Sequence, residues 1–140
     1  MKAPDREQEI TIKATKEQIP VISAFIEEVM ASAGFDLKKI MEVQLAAEEV
    51  CTNIALYAYS RGDGLIRLAA RVAGGRLDLV IEDEGTPFDP TAVVATIPDA
   101  KVEDRQIGGL GIPLIKSYVD GIAYEFKDGK NALKLVKKRA

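Results

Sequence analysis

The sequence predicts an α+β domain: helices covering one face of a mixed or antiparallel sheet, a two-layer sandwich. Three observations carry this. Runs of strictly alternating apolar and polar residues mark strands near the N-terminus, in the middle and at the end of the chain. Two stretches with apolar residues at helical spacing follow the first of those strands. The order of elements, strand, helix, helix, hairpin, long connection, helix, hairpin, contains no βαβ repetition, which argues against a parallel sheet.

Composition sets the bounds. A chain of 140 residues is read as one domain, residues 1–140, long enough to bury its own core. Hydrophobic residues at 47% and charged residues at 29% are the mix of a folded domain, so the whole chain is expected to fold. A net charge of −3 recommends neither nucleic acid nor an anionic membrane as partner. Cys51 is the single cysteine, which excludes an intramolecular disulfide and a zinc cage and fits a reducing, cytoplasmic setting. Histidine is absent, removing Ser-His-Asp chemistry and imidazole ligands. The opening Met1-Lys2-Ala3-Pro4-Asp5-Arg6-Glu7 has no apolar run behind it, and no segment has the length of a membrane span, so neither a leader nor a membrane is expected.

Taken in order, Gln8 to Ala14 alternate as a half-buried strand with Ile10, Ile12 and Ala14 inward. Thr15-Lys16-Glu17-Gln18 has the capping-box pattern, and Ile19, Ile22, Phe25, Ile26, Val29 and Met30 recur at helical spacing behind it. Pro20 belongs in the first turn, or else the capping box is accidental. Gly34 ends that helix and Asp36 caps the next, which is expected from about Leu37 to Tyr59. Its predicted inner stripe is Leu37, Ile40, Met41, Gln44, Ala47, Val50, Cys51, Ile54 and Ala58. After Arg61-Gly62-Asp63-Gly64, the alternation of Ile66, Leu68, Ala70 and Val72 makes a strand; Gly74-Gly75 turns it into a hairpin whose return strand runs from Arg76 to Asp83. A stretch without sustained periodicity follows as far as Ile107; a connection of that length is usually functional or mobile, and Phe88 is expected to anchor its start. Gly108-Gly109-Leu110-Gly111 opens a short helix, Ile112 to Val119. Ile122 to Phe126 and Ala132 to Val136 close the chain as strands joined by Lys127-Asp128-Gly129-Lys130-Asn131, and Lys137-Lys138-Arg139 reads as a solvated terminus.

Polar residues in apolar settings locate the chemistry. Glu49 and Asn53, four apart on the long helix, point the same way beside Val50 and Ile54, where an unpartnered polar pair is costly. An exposed helical pair is the plain alternative. Asp83 continues the odd-numbered inward register of Leu77, Leu79 and Ile81, so its carboxylate faces the covered side and wants a donor, such as the exocyclic amine of adenine. The Gly108–Gly111 turn at a helix start lets backbone N–H groups approach phosphate. An amide oxygen from Asn53 suits magnesium, which takes oxygen ligands and shares phosphates. Lys101 and Arg105 are either phosphate clamps or solvated loop charges. Cys51 reads as a small core residue.

Glu49-x-x-x-Asn53, Asp83-x-Gly85 followed by Pro87-Phe88-Asp89-Pro90, and Gly108-Gly109-Leu110-Gly111 followed by Ile112-Pro113-Leu114-Ile115 resemble, in order and spacing, the N box and the two glycine boxes of the GHKL ATPases. The match is to the branch of anti-sigma-factor serine/threonine kinases and covers nearly the whole chain, including Asn131-Ala132-Leu133. Pro87 stands where histidine kinases and chaperones commonly have a second glycine, a variant frequent in that branch. The resemblance implies a Bergerat-type sandwich that binds ATP and Mg²⁺ under a lid of about residues 86–107. It implies phosphorylation of a serine or threonine on an anti-anti-sigma (STAS-type) antagonist, sequestration of a sigma factor, and a homodimer. Carried over by position, Asn53 would hold Mg²⁺, Asp83 would select adenine, and Gly85, Gly109 and Gly111, with Gly108 and Leu110 of the same turn, would approach the nucleotide. Glu49 would be the general base. A nucleotide-gated binding module without phosphotransfer is the alternative function, and a non-nucleotide scaffold a third.

Overall fold

The computed structural model describes residues 6–59, 64–89 and 111–140. Five strands, β1 (Arg6–Lys13), β2 (Leu65–Ala73), β3 (Arg76–Asp83), β4 (Gly121–Lys127) and β5 (Lys130–Lys138), form one sheet in the order β1-β2-β3-β5-β4. Among the described residues every pairing is antiparallel, which decides between a mixed and an antiparallel sheet for these strands. Helices α1 (Ile19–Ser32), α2 (Leu37–Asn53) and α3 (Gly111–Tyr118) make the second layer, with α2 packed between α1 and α3.

The alternation read from the sequence is the burial pattern of the sheet. Ile66, Leu68, Ala70 and Val72 of β2, Leu77, Leu79 and Ile81 of β3, and Leu133 and Leu135 of β5 are buried beneath the helices. Ile22, Ile26, Val29 and Met30 of α1 and Ile40, Val43, Ala47 and Val50 of α2 meet them from above. The opposite face carries the polar set, including Arg67, whose guanidinium reaches Glu82 on β3 and Glu9 on β1 at 2.6 Å each. The β4–β5 turn has Asp128 at φ 55° and Gly129 at φ 77°, the left-handed pair that a two-residue hairpin requires.

Several expectations are corrected. The Thr15 side chain makes no capping bond: Thr15 opens a 3-10 turn, Lys16–Gln18, and α1 starts at Ile19 with Pro20 in its first turn. Asp36 does cap α2, accepting from Lys39 N at 2.9 Å. The inner stripe of α2 is rotated from the predicted one: Leu37 and Met41 are 68% and 51% exposed, while Val43 and Ala46 are fully buried. Gln44 faces α1, donating to Ser23 O at 2.9 Å. α2 keeps α-helical geometry only to Asn53, after which Ile54–Ala58 form a π turn instead of continuing to Tyr59. The basic C-terminus is solvated only in part: Lys138 and Arg139 are exposed as expected, but Lys137 is buried, and Arg139 donates from Nη1 to Ala33 O at 3.1 Å.

Candidate functional site

α2 presents the first pair. Glu49 and Asn53 are both half-buried, and Asn53 Nδ2 donates to Glu49 O at 3.0 Å and to Glu49 Oε1 at 3.5 Å. Both partners are acceptors, so the amide nitrogen must face them, and neither engages Asn53 Oδ1. The carboxylate and the carboxamide thus lie side by side, as their spacing predicted.

The second group sits at the end of β3. Asp83 is 6% exposed, and its Oδ1 accepts from Gly85 N at 2.8 Å and from Asn131 Nδ2 at 2.9 Å. Among the described residues Oδ2 has no partner, which leaves one carboxylate oxygen for a donor from outside. Burial raises the pKa of the Asp83 carboxyl above the usual value, and the bonds from Asn131 and Gly85 oppose that shift. Burial also drives the Cys51 thiol far up, with the charges of Asp83 and Glu48 adding to the effect, so Cys51 is an inert neighbour beneath the site.

Sequence reasoning placed Asn131 in the β4–β5 turn and within the span of the resemblance but gave it no part in the site. It lies directly across the β3–β5 ladder from Asp83 and is itself buried. Besides Asp83, its Nδ2 reaches Thr86 O at 3.1 Å and Gly85 O at 3.4 Å, while its Oδ1 accepts from Phe88 N at 3.1 Å and from the Tyr124 hydroxyl. One side chain thereby ties Asp83 to the backbone of residues 85–88. Asn131 shares the inward register of Leu133 and Leu135, the same signal that placed Asp83, but its position after Gly129-Lys130 reads as turn chemistry. Phe88 does anchor its segment, through its backbone N–H and not its ring, which is exposed.

The π turn joins the two groups. Gly85 packs so tightly on it that a Cβ there would lie 2.3 Å from Ala58 O and 2.6 Å from Ala58 Cβ. Thr86 N donates to Ala58 O at 2.9 Å, and Tyr59, also overlooked in the sequence, donates from its hydroxyl to Leu65 O at 2.6 Å and accepts from Glu84 N at 2.8 Å. A single turn of π-helix inside or at the end of an α-helix is frequent at functional sites. Here it sets the end of α2, with Asn53, against the end of β3, with Asp83.

The remaining candidates divide. Gly111 is the first residue of α3. Lys101, Arg105, Gly108, Gly109 and Leu110 lie outside the described residues. No group of three or more acidic, cysteine or histidine side chains able to cage a metal occurs among the described residues. A lone amide oxygen, Asn53 Oδ1, is a donor suited to a hard cation such as Mg²⁺, Mn²⁺ or Ca²⁺ that completes its shell with water and phosphate oxygens. No helix among the described residues is long and apolar enough to cross a membrane.

A family model described as a histidine kinase-like ATPase domain matches residues 12–137. The chain belongs to that family. Among curated relatives, this ATPase-family chain is 27% identical over 125 residues to the serine-protein kinase RsbW of Halalkalibacterium halodurans, covering 86% of this chain and 76% of that protein. It is 28% identical over 129 residues to the serine-protein kinase RsbW of Bacillus cereus strain G9842, covering 89% and 81%. The crystal structure of the RsbU and RsbW domains of a Mycobacterium tuberculosis protein shares the fold with a TM-score of 0.67 at 20% identity, over 95% of this chain and 32% of that one. The Acinetobacter baumannii histidine kinase AdeS follows at a TM-score of 0.53 and 15% identity, over 96% of this chain and 68% of that one.

Proposed function

We propose that this protein is an anti-sigma regulatory kinase of the cytoplasm. It binds ATP with Mg²⁺, phosphorylates a serine or threonine on an anti-anti-sigma antagonist of STAS type, and sequesters a sigma factor, working as a homodimer. The observation that carries the reading is the buried Asp83, held by Oδ1 with Oδ2 left over, in a chain whose family is an ATPase family and whose relatives are named serine-protein kinases.

In this reading Asp83 Oδ2 accepts the adenine amine, and Asn53 Oδ1 holds the magnesium ion, which when bound neutralises phosphate charge. The glycine stretch Gly108 to Gly111, whose last residue opens α3, would offer backbone N–H groups to the phosphates. Lys101 and Arg105 are the further cations for phosphate. Glu49, beside Asn53, takes the proton of the substrate hydroxyl as that oxygen bonds to the γ-phosphorus and the bond to the β-phosphate oxygen breaks, releasing ADP. Positioning and charge neutralisation dominate such a transfer.

The test is transfer of labelled γ-phosphate to antagonists recovered by pull-down, with wild type and Glu49→Ala side by side. Transfer by wild type that Glu49→Ala abolishes supports the kinase. ATP binding without transfer to any cognate antagonist would make the protein a nucleotide-gated binding module. Magnesium-dependent ATP binding that survives both Asn53→Ala and Asp83→Asn would remove the site.

A further inference from the structure

β5 has four inward positions, Asn131, Leu133, Leu135 and Lys137, and the polar ones stand at its two ends. Asn131 belongs to the site already described. Lys137, at the far end, is 8% exposed, and a lysine facing the helix layer is costly unless its charge and donors are satisfied. Its Nζ lies 3.1 Å from Glu42 Oε1 on α2 and donates to Tyr118 O, the last carbonyl of α3, at 2.5 Å. A helix C-terminus offers unpartnered carbonyls and partial negative charge, so an ammonium is favoured there. Asp120 extends the tie: its N–H donates to Val136 O at 2.8 Å, and its Oδ2 accepts from Lys138 N at 2.7 Å. Stability alone does not account for the lysine, because well-packed apolar replacements of buried ion pairs are often neutral or stabilising.

The helix geometry suggests another role. At 3.6 residues per turn, Glu42, Glu49 and Asn53 fall within about 40° of one another around α2, with Glu49 about 10 Å along the axis from Glu42. α3 packs against α2 and has its last turn pinned at Glu42, close to the start of α2. The eight residues of α3 put Gly111 about 10 Å from Tyr118 along the helix axis, at the end away from Lys137. We propose that Lys137 is a positioning residue: by clasping Glu42 and the Tyr118 carbonyl it sets where along α2 the N-terminus of α3 stands, and so tunes recognition of the nucleotide's phosphates from the opposite end of the helix. This rests on the nucleotide reading above and adds a residue that touches no ligand.

The experiment is calorimetric titration of the full chain with Mg-ATP and, separately, with adenosine, which lacks phosphates and probes the Asp83 end alone. Lys137→Met is expected to weaken ATP about tenfold while adenosine affinity stays within about twofold, with Lys137→Arg restoring most of the loss. Glu42→Gln should move the same ratio in the same direction by less, and it decides the matter if Lys137→Met does not fold. Equal losses for ATP and adenosine, or an unchanged ATP affinity, would overturn the proposal while leaving the nucleotide site intact. A wild type that binds neither ligand would remove the nucleotide reading and this inference with it.

Discussion

Asn131 Nδ2 donates to Asp83 Oδ1 at 2.9 Å from the directly opposed position of the neighbouring strand. Asn131→Ala would take away that donor and also orphan Phe88 N, Thr86 O and the Tyr124 hydroxyl, which bond to the same amide. Buried groups left unpartnered cost about 1–3 kcal/mol each, and water reaching this edge of the sheet would soften the sum. A loss of about 2–3 kcal/mol is expected in urea denaturation with an unchanged m-value, and adenosine affinity should fall as well. Asn131→Asp should be worse at neutral pH and recover in acid, because it sets a second carboxylate against Asp83.

Most of this was readable in the residues, for a physical reason. Strand side chains alternate with a period of two, so the register of Leu77, Leu79 and Ile81 carries Asp83 inward without further information. The same rule covers Asn131 and Lys137, yet their residue types argue for a turn and for solvent, and type outweighed register. Glu49 and Asn53 were legible because helical spacing alone makes them neighbours. The π turn was not, since it is a change in backbone hydrogen bonding that leaves the side-chain pattern of Ile54–Ala58 unaltered. Nor was the rotation of the α2 stripe: a helix packed on the sheet and on α1 and α3 buries more than one face, and Leu37 and Met41 satisfy the same spacing while pointing outward.

The buried carboxyl of Asp83 makes ligand binding and stability respond to pH in opposite directions. Its pKa is raised in the folded chain above 3.8, mainly by burial, so the native state keeps its proton to higher pH than the unfolded chain. The resulting stabilisation is fully present below the unfolded value and is lost as pH rises through the raised native one. An adenine amine needs the ionised form, so adenosine affinity should fall as pH drops through that same raised value. Asp83→Asn keeps an oxygen for Gly85 N and Asn131 Nδ2 but turns an N–H₂ toward the ligand. The variant should melt at or above the wild-type temperature at neutral pH and bind adenosine at least about tenfold more weakly, the effect of losing a hydrogen bond to a charged acceptor. A variant that binds as well as wild type would remove Asp83 from base recognition.

Gly85→Ala tests the junction between α2 and β3. The new Cβ would lie 2.3 Å from Ala58 O, a backbone atom, so the π turn or the strand end must shift. Forcing one extra carbon into such a contact costs about 1–3 kcal/mol. Adding Ala58→Gly removes the second clash, at 2.6 Å from Ala58 Cβ, but not the first, so thermal denaturation should show partial recovery at most. Full recovery would mean that the carbonyl contact yields easily and that the glycine is not required by packing.

Glu49 and Asn53 should separate into binding and turnover despite their contact. Asn53 Nδ2 is occupied by Glu49 O at 3.0 Å and only loosely by Glu49 Oε1 at 3.5 Å, so the carboxylate is not consumed in holding the amide. Glu49→Gln preserves the side chain's size and its acceptor oxygen while removing the base. Mg-ATP affinity should then stay within about threefold of wild type while transfer to the antagonist falls by about 10²–10⁴, the usual contribution of a positioned general base. Asn53→Ala should do the reverse to binding: ATP affinity loses its dependence on magnesium, while adenosine, which engages only Asp83, binds as before. If Glu49→Gln weakens Mg-ATP as much as Asn53→Ala does, the two residues act as one binding unit, and the base must be sought elsewhere.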